Sequence, residues 1–257
     1  MSIRYCDKVL PTQPYFSRLF EGGGYSLAIA RSVMEFSAGR SPDQFRLKTP
    51  AHVGFEEMSS TPAALSLLVF LIKATGAKSI LEIGTFIGHT TMHLVKAAGE
   101  DARIVTIECG SEFAHLAEQN FSANGLSDRI TLMEGEGRSV LASLAMLPHK
   151  FDLIFLDGGK QDYLVAAQTC EALLSESGML VVDDVFFHGD ALNKEPTTAK
   201  GVGCRDLLNH YQGRSDIGTL LLPIGNGLLI VYRAAAGVED HPLPAQHLAR
   251  VLGFSHA

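Results

Sequence analysis

Asp157, Lys160, Asp183 and Asp184 are the residues of this chain whose types and spacing best suit chemistry. Asp157-Gly158-Gly159-Lys160 follows one apolar run, Phe151 to Leu156. Asp183-Asp184 follows another, Met179 to Val182. If these runs are adjacent parallel strands, about 4.8 Å apart, their end carboxylates converge. Clustered carboxylates repel one another unless a cation lies between them. Oxygen-only ligands select a hard divalent ion, Mg²⁺, Mn²⁺ or Ca²⁺. Lys160, where a helix should begin, would have its pKa lowered by such a cation and could act as a general base. The plainer alternative is that Asp157 and Asp183 cap helices or form local ion pairs, with Lys160 a solvated surface lysine. His188 and Asp190 follow the acid pair and could reach it, but read more simply as loop residues.

Three earlier apolar runs also end in acids. They are Ser79–Leu81 before Glu82, Arg103–Ile107 before Glu108, and Ile130–Met133 before Glu134. Near-continuous apolar runs read as parallel strands buried on both faces. Open parallel sheets bind ligands at the carboxyl ends of their strands, so these acids would line one binding edge. The first run opens into Glu82-Ile83-Gly84-Thr85-Phe86-Ile87-Gly88-His89-Thr90. Glycine there lets a nucleotide approach the backbone. Glu108, about 20 residues past Gly88, suits ribose hydroxyls. The dinucleotide pattern GxGxxG is absent, which disfavours a pyrophosphate cradle and a nicotinamide dehydrogenase. A nucleoside without phosphates fits better, and S-adenosylmethionine is the common one. Glu82 would orient its amino-acid end through a bridging contact, and Glu108 would take both ribose hydroxyls. Glu134-Gly135-Glu136-Gly137 would line the adenine. Equally, these glycines could serve only the turn, and Glu136 only a polar turn.

The elements that must position these residues follow from the pattern. Thr61-Pro62 reads as an N-cap with proline at the first helical position, followed by Leu65, Leu68, Val69 and Ile72 at helical spacing. Helices are expected from about Gly88 to Ala98, from Glu112 to a stop at Asn124-Gly125, near Arg138–Leu147, and over Gln161–Leu174. Thr219–Leu222 and Leu228–Tyr232 flank Pro223-Ile224-Gly225-Asn226-Gly227, a hairpin signal that suggests an antiparallel edge strand. The alternation predicts a doubly wound α/β sheet. With 257 residues the chain can build one large domain, here 58–235, preceded by a lead-in over 1–57 and followed by a tail over 236–257. In the lead-in, Tyr25 to Ser37 reads as an amphipathic helix. In the tail, Leu248, Val251, Leu252 and Phe254 suggest a packing helix or dimer element.

A formal net charge of -7 makes nucleic acid a poor default partner. Cys6, Cys109, Cys170 and Cys204 lack CxxC spacing, which argues for a reducing compartment rather than a zinc site or disulfide framework. No apolar run approaches a bilayer span, and the first residues lack an apolar signal core. A cytoplasmic protein with no membrane partner is expected.

Together, Met58-Ser59-Ser60, LEIGTFIGHT over 81–90, TIE over 106–108, FDLIFLDGGKQDY over 151–163, VVDD over 181–184 and LLPIGNG over 221–227 carry a resemblance. In that order and spacing the chain resembles the cation-dependent class I O-methyltransferases, typified by catechol and caffeoyl-CoA O-methyltransferases. The resemblance covers about two thirds of the chain, from Met58 to Gly227. It implies a Rossmann-like, mostly parallel sheet of seven strands with an antiparallel edge strand and helices on both faces. It implies Asp157, Asp183 and Asp184 as metal ligands and Lys160 as the base for the acceptor hydroxyl. It implies that Ser60, Glu82, Gly84, Thr90, Glu108 and Gly137 contact the S-adenosylmethionine, with Asp157 near its methionine part. It also implies a homodimer and a lead-in that covers the acceptor.

Two departures fall on the acceptor side. Such enzymes usually have Asp-Asn at Asp183-Asp184, so this chain adds a carboxylate. They often have Asp-Ala-Asp-Lys at Asp157-Gly158-Gly159-Lys160, so this chain lacks an acid there and has a looser loop. The expected activity is methylation of a small hydroxylated, catechol-like or natural-product acceptor. The rivals are methylation of a hydroxylated uridine in transfer RNA, as some bacterial relatives perform, and a non-catalytic S-adenosylmethionine-binding protein.

Overall fold

In the computed structural model the described residues are Phe36, 45–53 and 58–233. The helix expected over Tyr25–Ser37 lies outside them apart from Phe36, and the element expected near Leu248–Phe254 lies outside them altogether. Helix α1 (Pro62–Thr75) begins where the sequence predicts. The Thr61 hydroxyl accepts from the Ala64 amide at 3.2 Å, Pro62 occupies the first turn, and Gly76 closes the helix at φ 72.

Strands β1 (Ser79–Ile83), β2 (Arg103–Glu108), β3 (Ile130–Glu134), β4 (Phe151–Leu156) and β5 (Leu174–Val182) pair in parallel. The hairpin β6 (Gly218–Leu222) and β7 (Leu228–Tyr232) completes a seven-stranded sheet in the order β3-β2-β1-β4-β5-β7-β6. The hairpin supplies the antiparallel edge, with β7 against β5 and β6 on the rim. The chain runs outward from β1 to β3, then returns to place β4 on the other side of β1. This reversal makes the carboxyl ends of β1 and β4 the crevice where ligands bind in such sheets.

Helices α2 (His89–Ala98), α3 (Ser111–Ala123), α4 (Gly137–Ala145), α5 (Tyr163–Leu173) and α6 (Ala199–Gln212) complete the layers. Leu68, Ile72, Met92, Leu94 and Phe121 of α1–α3 pack with Ile80, Ile104 and Phe155 on one face. Leu141, Tyr163, Cys170, Leu207 and Tyr211 of α4–α6 pack with Leu81, Ile83, Ile107 and Leu156 on the other. Alternating side chains along each strand produce the two cores.

Three differences from the expected elements have local causes. The helix expected at Gln161 starts as a 3₁₀ turn, Lys160–Asp162, and becomes α-helical at Tyr163. Strand β5 begins at Leu174 rather than Met179, because Leu174 pairs with Phe151 before the register shifts. Helix α6 was not anticipated. Gly201, Gly203 and polar residues dilute its pattern, although Thr198 caps it and Cys204, Leu207 and Tyr211 share its buried side.

Helix α6 crosses the 3₁₀ turn so closely that a Cβ on Gly203 would stand 2.3 Å from the Lys160 carbonyl oxygen. That neighbour is backbone and cannot swing away. Gly203→Ala is therefore expected to cost about 1–3 kcal/mol in urea unfolding. Gly213→Ala, with nothing within 4 Å of its Cβ position, should leave the midpoint nearly unchanged.

Candidate functional site

Ladder bonds carry two predicted acids past the strand ends. The Asp157 amide donates to the Ile83 carbonyl at 2.8 Å, and the Asp183 amide to the Leu156 carbonyl at 3.0 Å. Since Leu156 pairs with Val182, Asp157 and Asp183 stand side by side on adjacent strands, as expected. Gly84 stands next to them. A Cβ there would lie 2.3 Å from the Asp157 carbonyl oxygen, and its φ is +102. The glycine is thus demanded by the neighbouring strand as much as by any ligand.

Glu82 is not at the edge. Alternation turns it to the side of Ile80, beneath α2, where it is fully buried. Its Oε2 accepts from the Thr106 hydroxyl at 2.6 Å and from the Thr91 hydroxyl, while Thr85 meets Thr106 at 2.6 Å. Oε1 has no hydrogen-bond partner among the described residues. Burial pushes its pKa from 4.5 up to about 8, against the two hydroxyl bonds, and the charges of Asp157 and Glu108 add to the rise. The row of acids is therefore broken at its first member.

Glu108 does remain at the edge, where it ties two loops together. Its Oε2 accepts from the Phe86 amide at 2.7 Å and its Oε1 from the Gly110 amide at 2.8 Å. Phe86 needs this support. Its φ of 49 is a left-handed conformation that non-glycine residues rarely adopt, and its ring meets Phe113 edge-on at 5.0 Å. Each carboxylate oxygen keeps a second lone-pair site for a sugar hydroxyl. Thr90 donates to Ser60 at 3.1 Å, joining the start of α2 to the segment before α1. Ser59 beside it has a buried hydroxyl oxygen without a partner among the described residues. Gly137 begins α4, and a Cβ there would lie 3.3 Å from Ile83. Glu134 pairs with Glu108 in the ladder, and Glu136 precedes α4 without capping it; both are exposed.

Lys160 meets two of the predicted acids. Lys160 Nζ lies 2.7 Å from Asp157 Oδ1 and 3.1 Å from Asp184 Oδ2, with only 14% of its side chain exposed. Burial disfavours its charge, but the two carboxylates outweigh burial and push the pKa up. In this arrangement it is the cationic form of Lys160 that has partners. Burial raises the pKa of Asp157, with Lys160 opposing and Asp184 adding to the rise. Burial raises Asp183 well above the usual carboxylate range, with Asp157 and Asp184 adding. Asp183 Oδ1 accepts from the Asp184 amide at 2.7 Å, and Asp184 adopts φ 57. Among the described residues, no three His, Cys, Asp or Glu side chains are grouped to hold a metal ion. The donors are still all oxygen. The chemistry of the set fits a hard cation, while the present positions suit the lysine.

Several supports had no clear signal in the sequence. The buried Tyr163 hydroxyl donates to the Asp183 carbonyl at 2.9 Å, and its ring lies 5.7 Å from Lys160 Nζ. Cys204 Sγ lies 3.6 Å from the Asp184 carbonyl. The Val185 and Phe186 amides donate to Gly227 and Asn226 of the β6–β7 turn at 3.1 and 2.7 Å. Asp190 braces its own loop, accepting from the amides and hydroxyls of Thr197 and Thr198. His188 is exposed and packs on Phe187. Both therefore take the simpler of their expected roles. Within the lead-in, the Arg46 and Lys48 amides donate to Asn124 and Asn120 of α3 and its end. No described helix is long and apolar enough to cross a membrane.

A protein-family profile described as O-methyltransferase matches residues 35–234. A Mycobacterium leprae protein named for O-methyltransferase activity is 30% identical over 174 residues, 67% of this chain and 77% of that protein. A catechol O-methyltransferase of Mycobacterium tuberculosis is 33% identical over 141 residues, 55% of this chain and 63% of that protein. Among solved structures, an O-methyltransferase of tomaymycin synthesis from Streptomyces achromogenes, in complex with S-adenosylmethionine, superposes with a TM-score of 0.65. It is 26% identical and covers 69% of this chain and 82% of that one. An O-methyltransferase from Bacillus cereus has the same fold, with a TM-score of 0.65 at 22% identity over 80% of this chain and 91% of that one.

Glu82 provides a pH test in the ligand-free protein. The folded state keeps its proton up to about pH 8, whereas the unfolded chain releases it near 4.5. Its contribution is thus most favourable at low pH and is lost as pH rises through that window. Urea unfolding should show wild type losing ground steadily to Glu82→Gln between pH 4.5 and about 8, with a constant gap above. A gap independent of pH would refute the raised pKa.

Proposed function

The chain belongs to the O-methyltransferase family, and its enzymatic class is S-adenosylmethionine-dependent O-methyl transfer. On that footing we propose that it methylates a hydroxyl of a small aromatic vicinal diol, catechol-like or natural-product-like, with a divalent cation in attendance. The observation that carries this reading is the contact of its two halves at Gly84 and Asp157. The loop that would hold the methyl donor and the loop that bears Lys160 are there in backbone contact.

On the donor side, Glu82 Oε1 and Ser59 Oγ are buried polar atoms without partners among the described residues, which suits a ligand ammonium nearby. Ser60, Thr90 and Gly84 would line the methionine end together with Asp157. Glu108 would take the ribose hydroxyls on its remaining lone pairs, and Gly137 would face the adenine. The short side of the acceptor space would be closed by the Asp184 loop and the β6–β7 turn, where a Cβ on Gly225 would stand 3.6 Å from the Thr61 side chain. Residues 1–57 would cover it, a role that falls mainly on residues outside those described. The domain would then run over 58–235, in a homodimer.

Asp157, Asp183 and Asp184 would hold the cation, which when bound supplies Lewis-acid polarisation of the acceptor hydroxyls. Lys160 Nζ would accept the hydroxyl proton once the charges of its carboxylate partners are otherwise met. The acceptor oxygen then displaces the sulfonium leaving group in line, forming the O–CH₃ bond as the S–CH₃ bond breaks. The loops hold oxygen and methyl carbon in near-attack geometry, which supplies much of the rate.

Incubation with S-adenosylmethionine and a panel of hydroxylated aromatics should yield a monomethylated vicinal diol. Chelator should abolish turnover and Mg²⁺ or Mn²⁺ restore it. Lys160→Met should lower kcat by about 100-fold or more, while Asp183→Ala should lose cation-supported turnover yet still bind S-adenosylhomocysteine. Undiminished activity in chelator would remove the cation from the scheme.

A further inference from the structure

The carboxylates at the ends of β4 and β5 already have a cation, and it belongs to the chain. Lys160 Nζ sits between Asp157 Oδ1 at 2.7 Å and Asp184 Oδ2 at 3.1 Å, largely out of solvent. No three acids among the described residues are grouped to receive a metal. A second cation on the same oxygens would stand within about 4 Å of the ammonium, where like charges repel strongly at a buried site.

We propose that Lys160 and a divalent cation are alternative occupants of these carboxylates. The ammonium holds Asp157 and Asp184 in the metal-free enzyme, and metal entry displaces it toward the acceptor space. This deepens the cation reading above and rests on it.

The surroundings suit a side-chain exchange rather than a loop movement. The backbone at Lys160 is fixed. Its carbonyl is packed against Gly203, the Asp162 amide donates to Gly159 at 3.0 Å, and Tyr163 anchors the next turn on the Asp183 carbonyl. Asp183 is tied to the Asp184 amide rather than to the lysine, so one acid stays outside the clamp. The flexible four-carbon stem of Lys160 is left free to move. Asp184 is the added carboxylate of this chain, and it provides the second half of the clamp.

Manganese binding, read from the electron paramagnetic resonance of free Mn²⁺, tests the exchange without turnover. Wild type, Lys160→Met, Lys160→Arg and Asp183→Asn would be compared without methyl donor or acceptor. Lys160→Met should bind Mn²⁺ about 10-fold more tightly or better, since a like charge close by is removed, and Lys160→Arg should not. In wild type labelled with ¹³C at lysine Cε, the signal missing from Lys160→Met should move as Mg²⁺ saturates the site. Binding of S-adenosylhomocysteine by Lys160→Met checks its fold, with Lys160→Gln as the substitute if it fails. Equal Mn²⁺ affinity in Lys160→Met, or a Lys160 signal that stays put at Mg²⁺ saturation, would overturn the exchange while leaving the cation reading intact. No Mn²⁺ binding in any variant, or binding untouched by Asp183→Asn, would overturn both.

Discussion

The backbone at Gly84 lies so near the Asp157 carbonyl that a Cβ would stand 2.3 Å from its oxygen. The rest of the site is organised around that approach. It follows from pairing β1 directly with β4 at the point where the sheet reverses direction. Any side chain at position 84 would push the loop after β1 away from the fourth strand and from the loop that bears Lys160. Gly203 repeats the arrangement one layer out, letting α6 bear on the Lys160 carbonyl. Two glycines, distant in sequence, therefore set how closely three elements can meet.

Burying carboxylates is costly unless each finds partners, and this protein satisfies its acids in different ways. Glu82 receives two threonine hydroxyls on one oxygen and leaves the other without a hydrogen-bond partner among the described residues. Glu108 receives backbone amides from two loops and so holds Phe86 in a left-handed conformation. Asp183 takes the amide of its neighbour, while Asp157 and Asp184 share an ammonium. These partners separate acids that look alike in the sequence. Glu82 is a buried acid with a raised pKa, Glu108 is a brace with spare lone pairs, and the aspartates cluster at the ends of β4 and β5.

Later parts of the chain stabilise this cluster. The β6–β7 turn accepts the Val185 and Phe186 amides, which steadies the strained stretch from Asp184 to His188. Tyr163 ties the lysine loop to the strand that bears Asp183. The hairpin and α6 thus do more than complete the sheet and its cover, since they hold the side of the site where an acceptor would enter.

The strand runs and their terminal acids were legible in the sequence because apolar run length and alternation are local properties. So was the start of α1, where Thr61 and Pro62 act within one turn. Helix α6 was missed because its glycines serve a tertiary contact and dilute the helical pattern. The depth of Glu82 was also illegible. Alternation gives it the face of Ile80, but only the packing of α2 and the register that sets Glu82 opposite Thr106 show that this face is covered. The sequence alone determined the doubly wound order of elements and which acids end strands, since both follow from periodicity along the chain. The tertiary structure decided what each acid touches and that Lys160 stands as an ammonium between Asp157 and Asp184. Those outcomes depend on distances between residues far apart in the chain and on how much water is excluded around them.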